Sequence, residues 1–324
     1  MDTTQKTNEP DHVQASTSSA IILEYQRPAY EKLLTIANAC FCIQRSTLPI
    51  RPRTNTLIIG PSGSGKTFLA RAVAEHIGAP FLTVTVGEWI LLGCTHRGAE
   101  TTWPVIVQFF LKYRKNGGVV LFLDEIDKLC GHTSWETFLR TEIFKLLDLN
   151  IPEGLCDSDG NAINKDNVKE ARDVLANRTF IIAGGAFQDI WETRSKTSIG
   201  FSSQSSPSLT VSLADLTGTI PSELGNRFRA DIVTLPQLSR RDYRRMVEDT
   251  SAQVPVYLRE TFLRLAHNRI ESAMRCQQGC RFLEEVMLDT IIAERENIKN
   301  WKKPHDPPAQ LGEPTQSTPD GPGC

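Results

Sequence analysis

The sequence carries almost no net charge, because 36 Lys and Arg stand against 38 Asp and Glu and leave −2. That balance gives no long-range field drawing the whole chain to nucleic acid or to an anionic membrane, although local basic patches are compatible with it. Long apolar runs are also missing. None approaches the ~18 residues that a spanning helix needs. The N-terminal stretch MDTTQKTNEPDHVQASTSSA has neither the basic start nor the apolar centre of a secretory leader. A cytoplasmic chain without a membrane partner is therefore expected. The eight cysteines, Cys40, Cys42, Cys94, Cys130, Cys156, Cys276, Cys280 and Cys324, are scattered and include no Cys-x-x-Cys pair. This argues against a disulfide framework. Cys276 and Cys280 could share a helix face, but two ligands do not make a zinc site, so reduced thiols are expected. No internal repeat, helix-turn-helix, zinc finger or aromatic-studded basic sheet is present.

What is present is an ordinary globular composition, 40% hydrophobic and 23% charged over 324 residues, enough for a full core. Residues 1–19 are Ser-, Thr- and Gln-rich, and 300–324 are dense in Pro and Gly, so both are expected to be disordered tails. Between them, short β-branched runs alternate with helical stretches. Strands are expected at Thr56–Ile59, Phe81–Val86, Val119–Leu123, Phe180–Ala183 and Ile232–Leu235. Helices are expected at Phe68–Ile77, Pro104–Tyr113 and Trp135–Leu147. Apolar strands bounded by Gly, Pro or charge, with helices between them, predict an α/β unit over 20–236 whose parallel sheet is covered on both faces. After Pro236 the β signal ends. Helical periodicity over Arg240–Thr250, Val256–Asn268 and Gly279–Ile298 predicts a small all-helical domain over 237–299. Ser195–Ser212 reads as a long Ser-rich loop.

One segment carries strong chemistry. Gly60-Pro61-Ser62-Gly63-Ser64-Gly65-Lys66-Thr67, followed by Phe68, matches G-x-x-x-x-G-K-[ST] directly between a strand and a helix. Glycines let the backbone wrap phosphates, whose charge meets converging N–H groups and a helix N-terminus. Lys66 is expected to reach the β- and γ-phosphates of a bound nucleotide and Thr67 to ligate Mg²⁺. The second element, VVLFLDEIDKL, ends an apolar strand in Asp124-Glu125. It places both carboxylates at the sheet edge where ligands of open α/β sheets bind. Asp124 is expected to hold Mg²⁺, mostly through water, and Glu125 to act as general base on an attacking water. An Asp-Glu pair capping the next helix is the plainer alternative, and the upstream phosphate loop outweighs it.

These motifs, together with Arg227 in PSELGNRFRADIVTL and Arg281 in GCRFLEEV, resemble an AAA+ ATPase, and within it the clade of ClpX and HslU. GPSGSGKTFLARAVAEHIGAPF, LFLDEIDKL, IIAGGAF and DLTGTIPSELGNRF are each similar to ClpX segments. The resemblance spans roughly residues 25 to 295. It implies a P-loop NTPase sheet followed by a helical lid, ATP and Mg²⁺ as ligands, and hydrolysis to ADP and phosphate. It also implies a homo-oligomeric ring of six subunits, with Arg227 reaching a neighbour's nucleotide and Arg281 reading the nucleotide from the lid. The polar residue that usually ends the fourth strand is replaced by Ala183-Gly184-Gly185, a departure that ClpX shares. The pore-loop segment Leu92-Gly93-Cys94-Thr95-His96-Arg97-Gly98 has Cys94 where ClpX-like unfoldases carry a gripping aromatic, and a thiol lacks that bulk. Trp89 and Trp103 are expected in the core instead. The ClpX zinc-binding domain is not represented. Ile199-Gly200-Phe201 matches the tripeptide with which ClpX docks the ClpP peptidase. Two functions follow. One is an ATP-driven remodeller or unfoldase of a protein partner. The other is a nucleotide-dependent switch or matchmaker acting on a mobile-element or defence-system effector or on nucleic acid, with which Arg240, Arg241, Arg244, Arg245, Arg51 and Arg53 are compatible. A small-molecule kinase is disfavoured, since no acceptor site is apparent.

Overall fold

The computed structural model describes residues 22–42, 47–93, 98–131, 133–156, 161–191, 211–216 and 218–295. The expected tails 1–19 and 300–324, Cys94 and Ile199-Gly200-Phe201 lie outside the described residues. A single turn at Glu24–Gln26 leads into α1 (Arg27–Cys42), after which β1 (Thr56–Ile59) opens the sheet. Then follow α2 (Lys66–His76), β2 (Phe81–Thr85), α3 (Val86–Gly93), α4 (Gly98–Lys112) and β3 (Val119–Asp124). Next come α5 (Ser134–Leu147), α6 (Lys165–Arg178), β4 (Thr179–Gly185), α7 (Ser222–Gly225) and β5 (Val233–Thr234). The chain continues through α8 (Arg240–Ser251), α9 (Val256–Arg275) and α10 (Arg281–Ala293).

The five strands form one parallel sheet in the order β2-β3-β4-β1-β5. Strand alternation sends successive side chains to opposite faces, and both faces are dry. Leu57, Ile59, Leu121, Leu123 and Ile181 pack with α3 to α6. Ile58, Val120, Phe122, Phe180 and Ile182 pack with α1 and α2. The parallel register brings Ile59 level with Gly185, Leu123 level with Ala183, and Thr85 level with Asp124. One edge of the sheet thus collects the loops after β1, β3 and β4. Trp89 and Trp103 are buried and pack edge to face at 5.9 Å, which accounts for both as core. Helices α8, α9 and α10 enclose a separate cluster around Tyr243, Met246, Phe262, Ile270, Phe282 and Val286, which Leu23 from the N-terminal turn also joins.

Several boundaries differ from the pattern reading, three of them for identifiable reasons. Val86 extends the apolar run of β2 but begins α3, because strand passes to helix without a loop. Helix α4 begins before Pro104 rather than at it; a proline inside a helix leaves one carbonyl unbonded without ending it when packing holds the turns. The last helix begins at Arg281, since Gly279 is left-handed (φ 61°) and forms the turn before it. Helix α6, which periodicity did not reveal, is strongly polar (KDNVKEARDVLANR), and only Val168, Ala171, Val174, Leu175 and Asn177 are buried. The described cysteines are thiols. No described helix is long and apolar enough to cross a membrane.

Candidate nucleotide site

The loop after β1 is anchored where it leaves the strand, by both neighbouring segments. Gly60 N–H donates to Gly185 O (3.3 Å) and Leu235 N–H to Ile59 O (2.8 Å), so the loop starts from fixed strand ends. It reaches α2 through Gly63 (φ 74°) and Gly65 (φ 88°), both in the left-handed region that favours glycine. Lys66, the first residue of α2, is 9% exposed. Its Nζ donates to Gly60 O (2.8 Å) and Pro61 O (3.0 Å) and is ion-paired to no carboxylate among the described residues. Burial lowers its pKa, Asp124 and Asp127 oppose that shift, and Arg281 adds to it. A buried cation held only by carbonyl dipoles is poorly compensated. A phosphate brought to this loop supplies the missing negative charge, so the residues fit the phosphates of a nucleotide.

Thr67 Oγ1 donates to Asp124 Oδ2 at 2.7 Å, joining the start of α2 to the end of β3. Two hard oxygen donors side by side suit a small divalent cation such as Mg²⁺, which keeps waters and shares phosphate oxygens rather than needing an all-protein cage. No cluster of three or more His, Cys, Asp or Glu able to hold a metal exists among the described residues. Glu125 leaves β3 in a left-handed conformation (φ 60°), its N–H donating to Asp124 Oδ1 (2.9 Å). Its carboxylate accepts from Lys128 Nζ at 2.5 Å, with both side chains about half exposed.

Two further segments close over the loop. Cys280 N–H donates to Gly63 O (2.9 Å), and Gly279 N–H donates to Tyr243 Oη (3.0 Å). The α9–α10 turn therefore rests on the loop backbone, at a distance that leaves no room for a Cβ on Gly63 or Gly279. From the other side, Tyr25 Oη (3.0 Å) and Gln26 Nε2 (3.2 Å) both donate to Ser64 O, and Tyr25 Oη lies 3.0 Å from Cys280 Sγ. Burial raises the pKa of both the Tyr25 phenol and the Cys280 thiol, which keeps the pair neutral.

Between these parts lies a cavity of about 800 Å³. Ser62, Gly63, Gly65, Lys66, Thr67 and Phe68 line it, together with Asp124, Glu125 and Arg281. Gly60, Pro61 and Ser64 stand behind the wall and act through their carbonyls, on Lys66 and on the Tyr25–Gln26 turn respectively. The guanidinium of Arg281 makes no hydrogen bond or ion pair among the described residues, although the side chain lines the cavity. Arg227 is not brought to this cavity. Tyr25, Gln26 and Cys280 went unread in the sequence because no local pattern marks a contact between a turn before α1 and a loop far along the chain.

Residues 56–149 match the model of the ATPase family associated with various cellular activities, AAA. Among curated proteins, the chain is 36% identical over 76 residues to the ATP-dependent zinc metalloprotease FtsH of Caulobacter vibrioides, a match covering 24% of this chain and 11% of that protein. It is 39% identical over 84 residues to the 26S proteasome regulatory subunit 7 homolog B of Arabidopsis thaliana, covering 26% of this chain and 17% of that one. It is 28% identical over 134 residues to the Arabidopsis protein SUPPRESSOR OF K(+) TRANSPORT GROWTH DEFECT 1, covering 38% of this chain and 30% of that one. The chain thus spans less than a third of each of these three relatives. The family match takes in both the phosphate loop and the β3 carboxylates, and residues 56–149 are similar to an AAA ATPase domain.

Proposed function

We propose that this chain binds Mg²⁺-ATP in the cavity beneath the α9–α10 turn, hydrolyses it to ADP and phosphate, and uses the cycle to remodel a protein partner. The observation that carries the reading is the convergence of Lys66, Thr67, Asp124 and Glu125 on one cavity under a helical unit contributing Arg281. Lys66 meets the β- and γ-phosphates, and Thr67 with Asp124 holds the cation. When bound, the cation neutralises charge on the phosphate oxygens. Glu125 takes a proton from water as its oxygen bonds to the γ-phosphorus, while the bond to the β–γ bridging oxygen breaks and ADP leaves with that oxygen. Helices α8–α10 serve as the lid. Lid motion is the mechanical output, because the lid touches the phosphate loop at Gly63.

Arg227 belongs to the reading as a cation supplied to the site of a neighbouring copy, which makes a homo-oligomeric ring of six the working assembly and the cytoplasm its setting. ClpX-like remodelling is the finer form of the proposal, supported by the sequence similarity of the motifs. The relatives above, a metalloprotease and a proteasome subunit among them, support a protein as the substrate class. Nucleic acid is the weaker alternative. On α8, Arg240 pairs with Glu271 (2.8 Å) and Arg245 with Glu24 (2.5 Å), so part of the basic segment is already engaged within the chain. The deciding measurement is Glu125→Gln with the wild type as reference, with turnover followed in the presence of unfolded protein, single-stranded DNA or duplex DNA. The variant is expected to bind ATP and to lose turnover by about 10²-fold or more, and the wild type to be stimulated by protein alone. Undiminished hydrolysis by the variant would remove the assignment of Glu125, and stimulation by DNA alone would favour the switch reading.

A further inference from the structure

We propose that Asp148 is a positioning residue that holds Arg227 as a preset two-pronged donor for the nucleotide site of a neighbouring copy. The inference rests on the trans-acting role of Arg227 proposed above. Arg227 Nε and Nη2 donate to Asp148 Oδ1 (3.0 Å) and Oδ2 (2.9 Å), a bidentate pair, and Nη1 donates to Glu223 O (2.6 Å). The guanidinium carbon lies 3.9 Å from the centre of the Phe144 ring, so the plane is also backed by an aromatic face. Below it, the buried side chain of Asn55 donates to both Leu147 O (2.8 Å) and Arg227 O (3.1 Å), tying the backbone at Arg227 to the end of α5 next to Asp148.

A guanidinium has five N–H groups. Three are used here, and the remaining two lie one on each terminal nitrogen, the arrangement that grips a phosphate oxygen pair end-on. Stability alone explains this arrangement poorly. The side chains of Arg227 and Asp148 are 25% and 52% exposed, and exposed ion pairs contribute little. Asp148 is moreover the residue that closes α5 at its C-terminus, where the helix dipole disfavours an anion. A carboxylate kept in an unfavourable place, spending both oxygens on one arginine, is understood as orientation. An arginine frozen before the neighbour's nucleotide arrives needs no reorganisation when charge develops on the γ-phosphate.

The test mixes full-length variants so that the finger and the nucleotide site come from different copies. Arg227→Ala retains its own Glu125 but offers no cation, whereas Glu125→Gln offers Arg227 but cannot turn over. Mixing the two is expected to restore hydrolysis. Replacing the second by Glu125→Gln/Asp148→Asn is expected to lower the restored kcat by about tenfold or more, with KM for ATP unchanged, because the working nucleotide site lies on the other copy. Glu125→Gln/Asp148→Glu is expected to recover part of the loss. Equal rescue by the Asp148→Asn donor overturns the positioning role and leaves the trans role of Arg227 standing. No rescue by Glu125→Gln itself overturns both. If Asp148→Asn prevents assembly, as judged by light scattering, Asp148→Ser in the same background takes its place. It keeps a small polar residue at the end of α5 while removing the carboxylate that faces Arg227, and the same outcomes apply.

Discussion

Thr67 and Asp124 are hydrogen-bonded at 2.7 Å, so the first turn of α2 and the last residue of β3 are joined before any ligand arrives. The hydroxyl is therefore both a structural link and, on the proposed reading, one of the two protein oxygens next to the cation.

Replacing Thr67 by Val separates these roles, since Val keeps the shape and removes the donor. A single hydrogen bond contributes about 0.5–1.5 kcal/mol to stability, so the unliganded protein should unfold within that margin of the wild type. Hydrolysis should fall far more, by about 10²-fold, the scale of losing one preorganised polar contact to the reacting phosphates. Chemical denaturation and steady-state turnover measure the two effects. A variant equally impaired in both would mean that Thr67 acts only as the link.

Lys128 bonds the carboxylate proposed to be the general base, at 2.5 Å. Glu125 must loosen this contact to reach a water, so the ion pair acts as a brake. Exposed pairs are worth about 0–1 kcal/mol, which limits the release to at most about fivefold. Lys128→Met should therefore raise basal turnover by up to that factor, with little change in stability. A fall in turnover would assign Lys128 to holding Glu125 in its working position.

The two segments that the fold brings to one cavity were legible because each is contiguous. Gly60–Thr67 and Asp124–Glu125 carry their chemistry in adjacent residues, and the strands before them are dry on both faces, which makes them plain apolar runs. The order of the sheet was not legible, since nothing local in Phe180–Ala183 tells that β4 pairs with both β1 and β3. Likewise, Tyr25 reads as an ordinary aromatic until the fold brings it to Ser64 O. Helix α1 was missed because much of its buried face is small, with Ala29, Ala37 and Cys40 beside Leu33 and Ile36, and such a face gives a faint period. Arg227 was singled out by the resemblance of its segment, but its partner Asp148 could not be, because the pairing depends on how α5 ends against the chain before β5.

Gly279 sits in the turn that lies on Gly63 O, with φ 61°. An alanine there meets two penalties. A left-handed conformation costs an L residue about 1–2 kcal/mol, and the new Cβ collides with the loop carbonyl. Gly279→Ala should lift the turn, speed hydrogen exchange at the Cys280 N–H, and weaken nucleotide binding by about tenfold, the equivalent of ~1.4 kcal/mol. Unchanged exchange and affinity would show that the lid contact is incidental to binding.

Lys66 gives a pH signature with a definite sign. Burial lowers its pKa from the ordinary 10.5 in the folded chain. Between the lowered value and 10.5 the unfolded chain therefore binds more protons than the folded one, and stability must rise with pH through that window. Lys66→Met abolishes the titration, so the stability of the wild type relative to the variant should climb across that window as pH approaches 10.5, and level off at its low value below the lowered pKa. Nucleotide reverses the balance. Phosphate oxygens near Nζ favour the ammonium form, so binding within the same window should be accompanied by proton uptake. Calorimetry in buffers of different ionisation enthalpy measures that uptake directly, with Lys66→Met as the reference wherever it retains binding. Binding without uptake would mean that the phosphates do not approach Nζ, and Lys66 would then be a structural clamp on Gly60 and Pro61.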